Sequence, residues 1–260
     1  MMKKILRNAL MVGCVCLVFA GGALSQDLTA QQVLEKVADA IEAQTAEIHL
    51  QMEIYNAAGS KRERSLVAYA REAGDLSQSF IRFTGPPDIE GTSFLSLEQQ
   101  NGDEEMYLFL PVVGSPRKIA GSQKGGSFVN TDFTYNDLTI LGGGNYNEDY
   151  EAGILEHNSG EFLLRLDPLK DEIEYQYARM WVSTANWFPT KIEFYDESGQ
   201  LKKVLINREI EQIDGNWTAR EITMEDVQKG SRTVLSLTEV RYNVSLDEQI
   251  FTTRYMRRQS

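Results

Sequence analysis

The hydrophobic pattern changes period once, early in the chain, and that change separates a helix from a long run of strands. Thr29 and Gln32 have the spacing of a capping box, with Leu28 and Val33 placed to staple it, so a helix starts there. Val33, Leu34, Val37, Ala38 and Ile41 then recur at helical spacing, while Glu35, Lys36, Asp39 and Glu42 fall off that stripe. The spacing predicts a helix of about 16 residues, roughly 24 Å long, enough to lie across a sheet.

After Ala46 the pattern alternates. Ile48, Leu50, Met52 and Ile54 interleave with His49, Gln51, Glu53 and Tyr55, the signature of a half-buried strand. Ala58-Gly59-Ser60 turns the chain and residues 64–71 return. Comparable segments follow at 77–83, 92–97, 105–110, 150–156, 161–166, 174–183, 190–195, 201–210, 217–226 and 232–242. Short turns such as Asn158-Ser159-Gly160 and Asp214-Gly215-Asn216 join them. About eleven strands linked mainly by hairpins predict a mainly β (α+β) protein with one antiparallel meander.

Residues 111–144 interrupt the meander. They are rich in Gly and Ser and contain a helix candidate at 134–141, with Phe133, Leu138 and Leu141 as its apolar contacts. So long an excursion is either functional or a cover for the sheet. A large antiparallel sheet curls, and one long helix covers only part of its concave face. The pattern thus predicts an apolar hollow under a lid, the alternative being a hollow filled by its own side chains. Candidate wall residues are Ile48, Leu50, Met52, Ile54, Phe83, Phe94, Met106, Leu108, Leu110 and Trp181. Candidate lid residues are Val33, Leu34, Val37, Ile41, Phe133, Leu138 and Leu141.

Lys3, Lys4 and Arg7, an apolar run from Ala9 to Ala20, and the small residues before Ser25 predict a secretory signal peptide over 1–25, cut after Ser25. A lipoprotein-type reading, with Cys14 acylated, is the alternative. Plain cleavage is favoured because the apolar run continues past Cys14. Both cysteines, Cys14 and Cys16, leave with the leader, so residues 26–260 hold no thiol and form one expected domain. Losing three positive charges takes the net charge from −12 to −15. Such an acidic chain is a poor partner for nucleic acid or anionic lipid surfaces.

The search for chemistry finds no constellation. His49 and His157 lack metal-ligand spacing, and no nucleophile elbow, Walker loop or dinucleotide fingerprint occurs. Gly142-Gly143-Gly144 is a flexible-loop signal, and Glu148, Asp149 and Glu151 lack the spacing of a calcium loop. The sequence reads as a binder without catalytic residues, metal or cofactor. Arg254, Arg257 and Arg258 read as a solvated basic tail.

Three groups of residues carry a resemblance. The first is Asp88-Ile89-Glu90-Gly91-Thr92-Ser93-Phe94-Leu95. The second runs from Leu108-Phe109-Leu110-Pro111 through Arg117-Lys118-Ile119-Ala120 and Ser127-Phe128 to Asp132-Phe133-Thr134-Tyr135-Asn136-Asp137-Leu138. The third is Trp187-Phe188-Pro189-Thr190-Lys191-Ile192-Glu193-Phe194-Tyr195-Asp196. Together they resemble the outer-membrane lipoprotein-sorting, LolA-like family of periplasmic proteins, over essentially all of residues 26–260. The resemblance implies an unclosed β half-barrel with helices as a lid over an apolar cavity. It implies a periplasmic carrier sheltering the acyl chains of lipids or lipidated proteins, with a membrane-bound transporter or acceptor lipoprotein as partner. The branch carrying the Asp132 to Leu138 segment is similar to proteins associated with RND-type exporters. A lipid- or lipoprotein-sensing regulatory module is the alternative the same fold implies. The carriers' lid-latching arginine is not carried over, because Arg82, Arg165, Arg179 and Arg220 are all strand candidates outside any diagnostic motif.

Overall fold

The computed structural model of this chain describes residues 28–141 and 146–258, without the side chains of Ile140 and Leu141. The leader with its cysteines and cleavage position, and Gly142-Gly143-Gly144, lie outside the described residues.

Helix α1 (Ala30–Ile41) is opened by the capping box, with Gln32 N donating to Thr29 Oγ1 at 3.2 Å and Thr29 N to Gln32 Oε1 at 2.9 Å. It is 12 residues long, shorter than the pattern implies, because Glu42 already has extended backbone and the chain turns directly into the first strand. Strands β1 (Thr45–Tyr55), β2 (Lys61–Glu72), β3 (Ser77–Gly85), β4 (Ser93–Glu98), β5 (Glu104–Phe109) and β6 (Arg117–Ile119) follow. The excursion contains two 3-10 turns, Gly121–Gly125 and Phe128–Asn130, and helix α2 (Tyr135–Leu141); helix α3 (Tyr146–Asp149) comes after it. Strands β7 (Tyr150–His157), β8 (Glu161–Pro168), β9 (Tyr177–Ser183), β10 (Pro189–Tyr195), β11 (Leu201–Ile213), β12 (Asn216–Asp226) and β13 (Ser231–Tyr242) complete the sheet. A 3-10 turn (Glu248–Phe251) and α4 (Thr253–Met256) end the described chain.

All 13 strands form one antiparallel sheet in the order β6-β5-β4-β3-β2-β1-β13-β12-β11-β10-β9-β8-β7. The two ends of that order, β6 and β7, do not pair, so the curved sheet is an unclosed half-barrel. The strand count exceeds the roughly eleven read from the pattern. The twelve segments named there are all strands, and the thirteenth is β6, whose three residues, pairing only with β5, are too short to show a period.

Alternation divides the apolar residues between two faces. On the concave face, register places Leu66, Leu50 and Leu237 in one row and Arg64, Met52 and Leu235 in the next. The convex face of β3–β5 carries Phe80, Leu95 and Phe109, covered by Ile250, Phe251 and Met256 from the C-terminal segment. The solvated-tail reading is therefore corrected: the arginine side chains are exposed, but the segment bearing them is docked. Arg82, only 7% exposed, holds it by donating to Tyr255 O at 2.7 Å. Its guanidinium also lies over the Phe80 and Tyr255 rings, 5.1 and 4.8 Å from their centroids.

Candidate functional site

The concave face does not close on itself. A cavity of about 180 Å³ remains between its aliphatic floor and the segments above. The floor comprises Ile48, Leu50 and Met52 of β1, Leu66 and Ala68 of β2, Ile81 of β3, Ile222 of β12, and Leu235 and Leu237 of β13. The roof comprises Ile41 at the end of α1 and Phe128, Phe133 and Leu138 of the excursion. Phe188, Trp217, Thr218 and Tyr242 stand at one end.

Three of the ten candidate wall residues, Ile48, Leu50 and Met52, line this space. Ile54, Phe83, Phe94 and Met106 are buried in the surrounding core, Leu108 packs on that core, and Leu110 is half-buried just beyond β5. Trp181 points to the other face, since Met180 and Val182 are the buried residues of β9, and Lys191 Nζ sits 3.6 Å from its ring centroid. Of the candidate lid, Ile41, Phe133 and Leu138 line the cavity, whereas Val33, Leu34 and Val37 anchor α1 in the core. Leu141 closes α2, and its side chain is outside the described residues.

Phe128, absent from the candidate list, organises the roof. It packs on Phe83, Phe94 and Tyr135, with ring centroids 5.6–5.9 Å apart. Beyond its place in the Ser127-Phe128 part of the resemblance, its sequence signal is one aromatic residue in a Gly/Ser-rich stretch, where no periodicity marks a core position.

Polar anchors fix the roof at three places. Arg64, 8% exposed on the inner face of β2, donates to Val129 O at 2.7 Å. Val129 and Asn130 have φ of 47° and 59°, left-handed backbone that is costly for a β-branched residue. The Asp132 carboxylate accepts from Ser231 and from Thr233 Oγ1 of β13, the latter at 2.7 Å. Asp137, fully buried, accepts from Thr134 N at 2.7 Å, from Tyr175 OH at 2.9 Å and from Lys203 Nζ at 2.9 Å. Thr134 and Asp137 cap α2 reciprocally, and Asp137 also ties it to β11. Burial, with Asp137 next in effect, holds the Tyr175 hydroxyl well above its ordinary pKa, so it stays a donor.

A separate polar cleft bridges the edges of the sheet. Lys124, after β6, pairs with Glu172 at 2.6 Å, and Lys170, after β8, pairs with Asp149 at 2.5 Å. Lys170 also donates to Gly102 O in the β4–β5 turn at 2.8 Å. Glu104 in this cleft accepts from Ser96, and burial pushes its carboxyl up to about 7. His49 bonds Glu47, and His157 stacks on Phe162. Among the described residues no group of three or more His, Cys, Asp or Glu is placed to hold a metal ion.

An open antiparallel half-barrel, with helices and a strapped-down loop roofing an aliphatic cavity, defines the class. The family model that matches, described as "Uncharacterized protein", spans residues 75–258. The chain belongs to that family, and its fold is that of the LolA-like, outer-membrane lipoprotein-sorting proteins. A putative outer membrane lipoprotein-sorting protein domain from Vibrio parahaemolyticus is 26% identical, with 88% of this chain and 98% of that one covered at a TM-score of 0.80. A DUF1329 family protein from Desulfovibrio piger is 26% identical, with coverages of 87% and 97% and a TM-score of 0.81. A LolA superfamily protein from Nitrosomonas europaea shares the fold at 24% identity, with coverages of 88% and 99% and a TM-score of 0.70. No curated protein matches the sequence.

Proposed function

We propose that the protein is a periplasmic carrier that shelters the acyl chains of a lipid or lipidated protein, receiving or delivering them at a membrane-bound partner. The observation that carries this is the vacancy itself: aliphatic walls and an aromatic roof that do not meet. A dry apolar cavity near 150 Å³ already admits benzene, so about 180 Å³ is binding space. Sites for larger ligands run to about 300–1,000 Å³. A whole acyl chain therefore needs the roof to lift.

The anchors differ in how readily they yield. Opening the Arg64–Val129 contact gives up one charge-assisted hydrogen bond, about 1.5–3 kcal/mol, and relaxes left-handed backbone at Val129. Breaking the buried Asp137–Lys203 pair costs about 3–5 kcal/mol, so α2 stays seated on β11. Burying methylenes returns about 0.8 kcal/mol each, and several suffice to offset the Arg64 contact. Arg64 is thus the latch and Asp137 the hinge post. Capture needs no covalent step.

The leader and the lipoprotein-sorting likeness in Vibrio support a periplasmic setting, and service to an RND-type exporter is one arrangement consistent with it. Mass spectrometry of organic extracts from gently purified protein tests the reading. Co-purifying acylated molecules are expected in near-stoichiometric amount. Lipid-free protein that also takes up no fluorescent fatty acid would overturn it.

A further inference from the structure

The sheet is split along one of its internal seams, next to the cavity. Pairing between β12 and β13 runs from Asp226↔Ser231 to Glu221↔Ser236 and stops there. Beyond that point residues 216–219 continue to pair with β11 alone, and residues 237–242 with β1, Thr238 excepted. The two strands part like the arms of a Y.

Both flanking strands are irregular at this level. Glu209 of β11 has φ of 51°, and it and Arg220 opposite are unpaired in the ladder while the register on either side is kept. On the other side the β1–β13 register shifts between His49 and Leu50, which leaves Thr238 as an extra residue whose hydroxyl donates to His49 O. Bulges bend a strand and increase its twist. The bulge at Thr238 on one side and the break in pairing at Glu209 on the other steer the arms apart.

Side chains span the gap in place of the ladder. Thr218 Oγ1 and Tyr242 OH are 2.8 Å apart, and Arg220 reaches Leu237 O at 3.5 Å while paired with Glu211 at 2.5 Å. Thr218 and Ala219 on one arm, and Leu237 and Tyr242 on the other, all line the cavity. Asn216, on the β12 arm, also donates to Glu42 O at the end of α1, so the roof meets the seam here.

Building on the carrier reading, we infer that the β12–β13 seam is a side portal through which an apolar chain enters the cavity, gated by the Thr218–Tyr242 hydrogen bond. A side-chain bridge separates without breaking a backbone ladder, and the space behind it is already apolar.

The test uses the protein lacking residues 1–25 in the form Thr218→Cys/Tyr242→Cys, whose introduced pair is the only source of thiols. A short bifunctional methanethiosulfonate links the pair, and stopped-flow fluorescence follows uptake of a pyrene-labelled fatty acid. The control is Gln51→Cys/Ser65→Cys, across the continuous β1–β2 ladder. Linking the seam is expected to slow uptake at least tenfold, reversibly on reduction, with the control unaffected. Tyr242→Phe, which removes the bridge with little change of shape, is expected to speed uptake several-fold. Unchanged uptake by the linked seam, or by Tyr242→Phe, would overturn the portal alone. No uptake by the unlinked protein would overturn the carrier reading with it.

Discussion

The convex and concave faces of β3–β5 are built from the same alternating residues and end differently. Phe80, Leu95 and Phe109 point outward and are sealed by the C-terminal segment, where Met256 is fully buried. Phe83, Phe94 and Met106 point inward, and beside them, over β1, β2 and β13, about 180 Å³ stays open under the roof. The chain devotes its last described turns to covering one apolar patch and leaves another roofed but hollow; on the proposed carrier reading, the hollow one is the face that binds. The outer cluster pins the C-terminal segment to the sheet; the inner face carries the main core and, beside it, the open space.

That contrast breaks most visibly at the seal. Phe251→Ala on the convex side should lower unfolding free energy by about 4 kcal/mol, read by urea denaturation, with fatty-acid affinity unchanged in the folded protein. An equal loss of affinity would show that the two faces are not independent.

The polar cleft at the sheet edges gives the next effect. Burial raises the folded-state pKa of Glu104 from 4.5 to about 7, so between these pH values the folded chain keeps a proton that the unfolded chain releases. Its contribution is intact below pH 4.5 and declines as pH rises to about 7, by up to about 3 kcal/mol at 1.36 kcal/mol per unit. Glu104→Gln should remove that decline in denaturation midpoints measured across this range. A wild-type curve without the decline would contradict the assignment.

Arg64→Met should cost about 2 kcal/mol, leaving the Val129 carbonyl without its donor, and should accelerate both loading and release of a pyrene-labelled fatty acid. Slower exchange would mean that Arg64 is not a latch. The smallest stability effect belongs to the cavity. Ala68→Phe fills existing space, so denaturation should move by no more than about 1 kcal/mol, in either direction.

Much of this architecture was legible in the chain. Period-2 alternation through Ile48, Leu50, Met52 and Ile54 announced a sheet with one buried face, and Thr29 with Gln32 marked the start of α1. Which inward residue meets empty space is set by curvature and register, to which alternation is blind. Ile48, Leu50 and Met52 line the cavity while Ile54, one step along the same face, sits beside Thr233 outside it. Trp181 was assigned by residue type, yet the burial of Met180 and Val182 puts it on the opposite face. Phe128 and Arg64 act through tertiary contacts between an aperiodic loop and β2, and local pattern carries no trace of such contacts.

Equilibrium titration of wild-type protein and Ala68→Phe with a pyrene-labelled fatty acid tests most directly whether the space under the roof is a binding site. Saturable one-site binding by the wild type is predicted, with affinity reduced at least about tenfold, or 1.4 kcal/mol, in a variant that unfolds like its parent. Equal binding by the two proteins, or none by either, would contradict it.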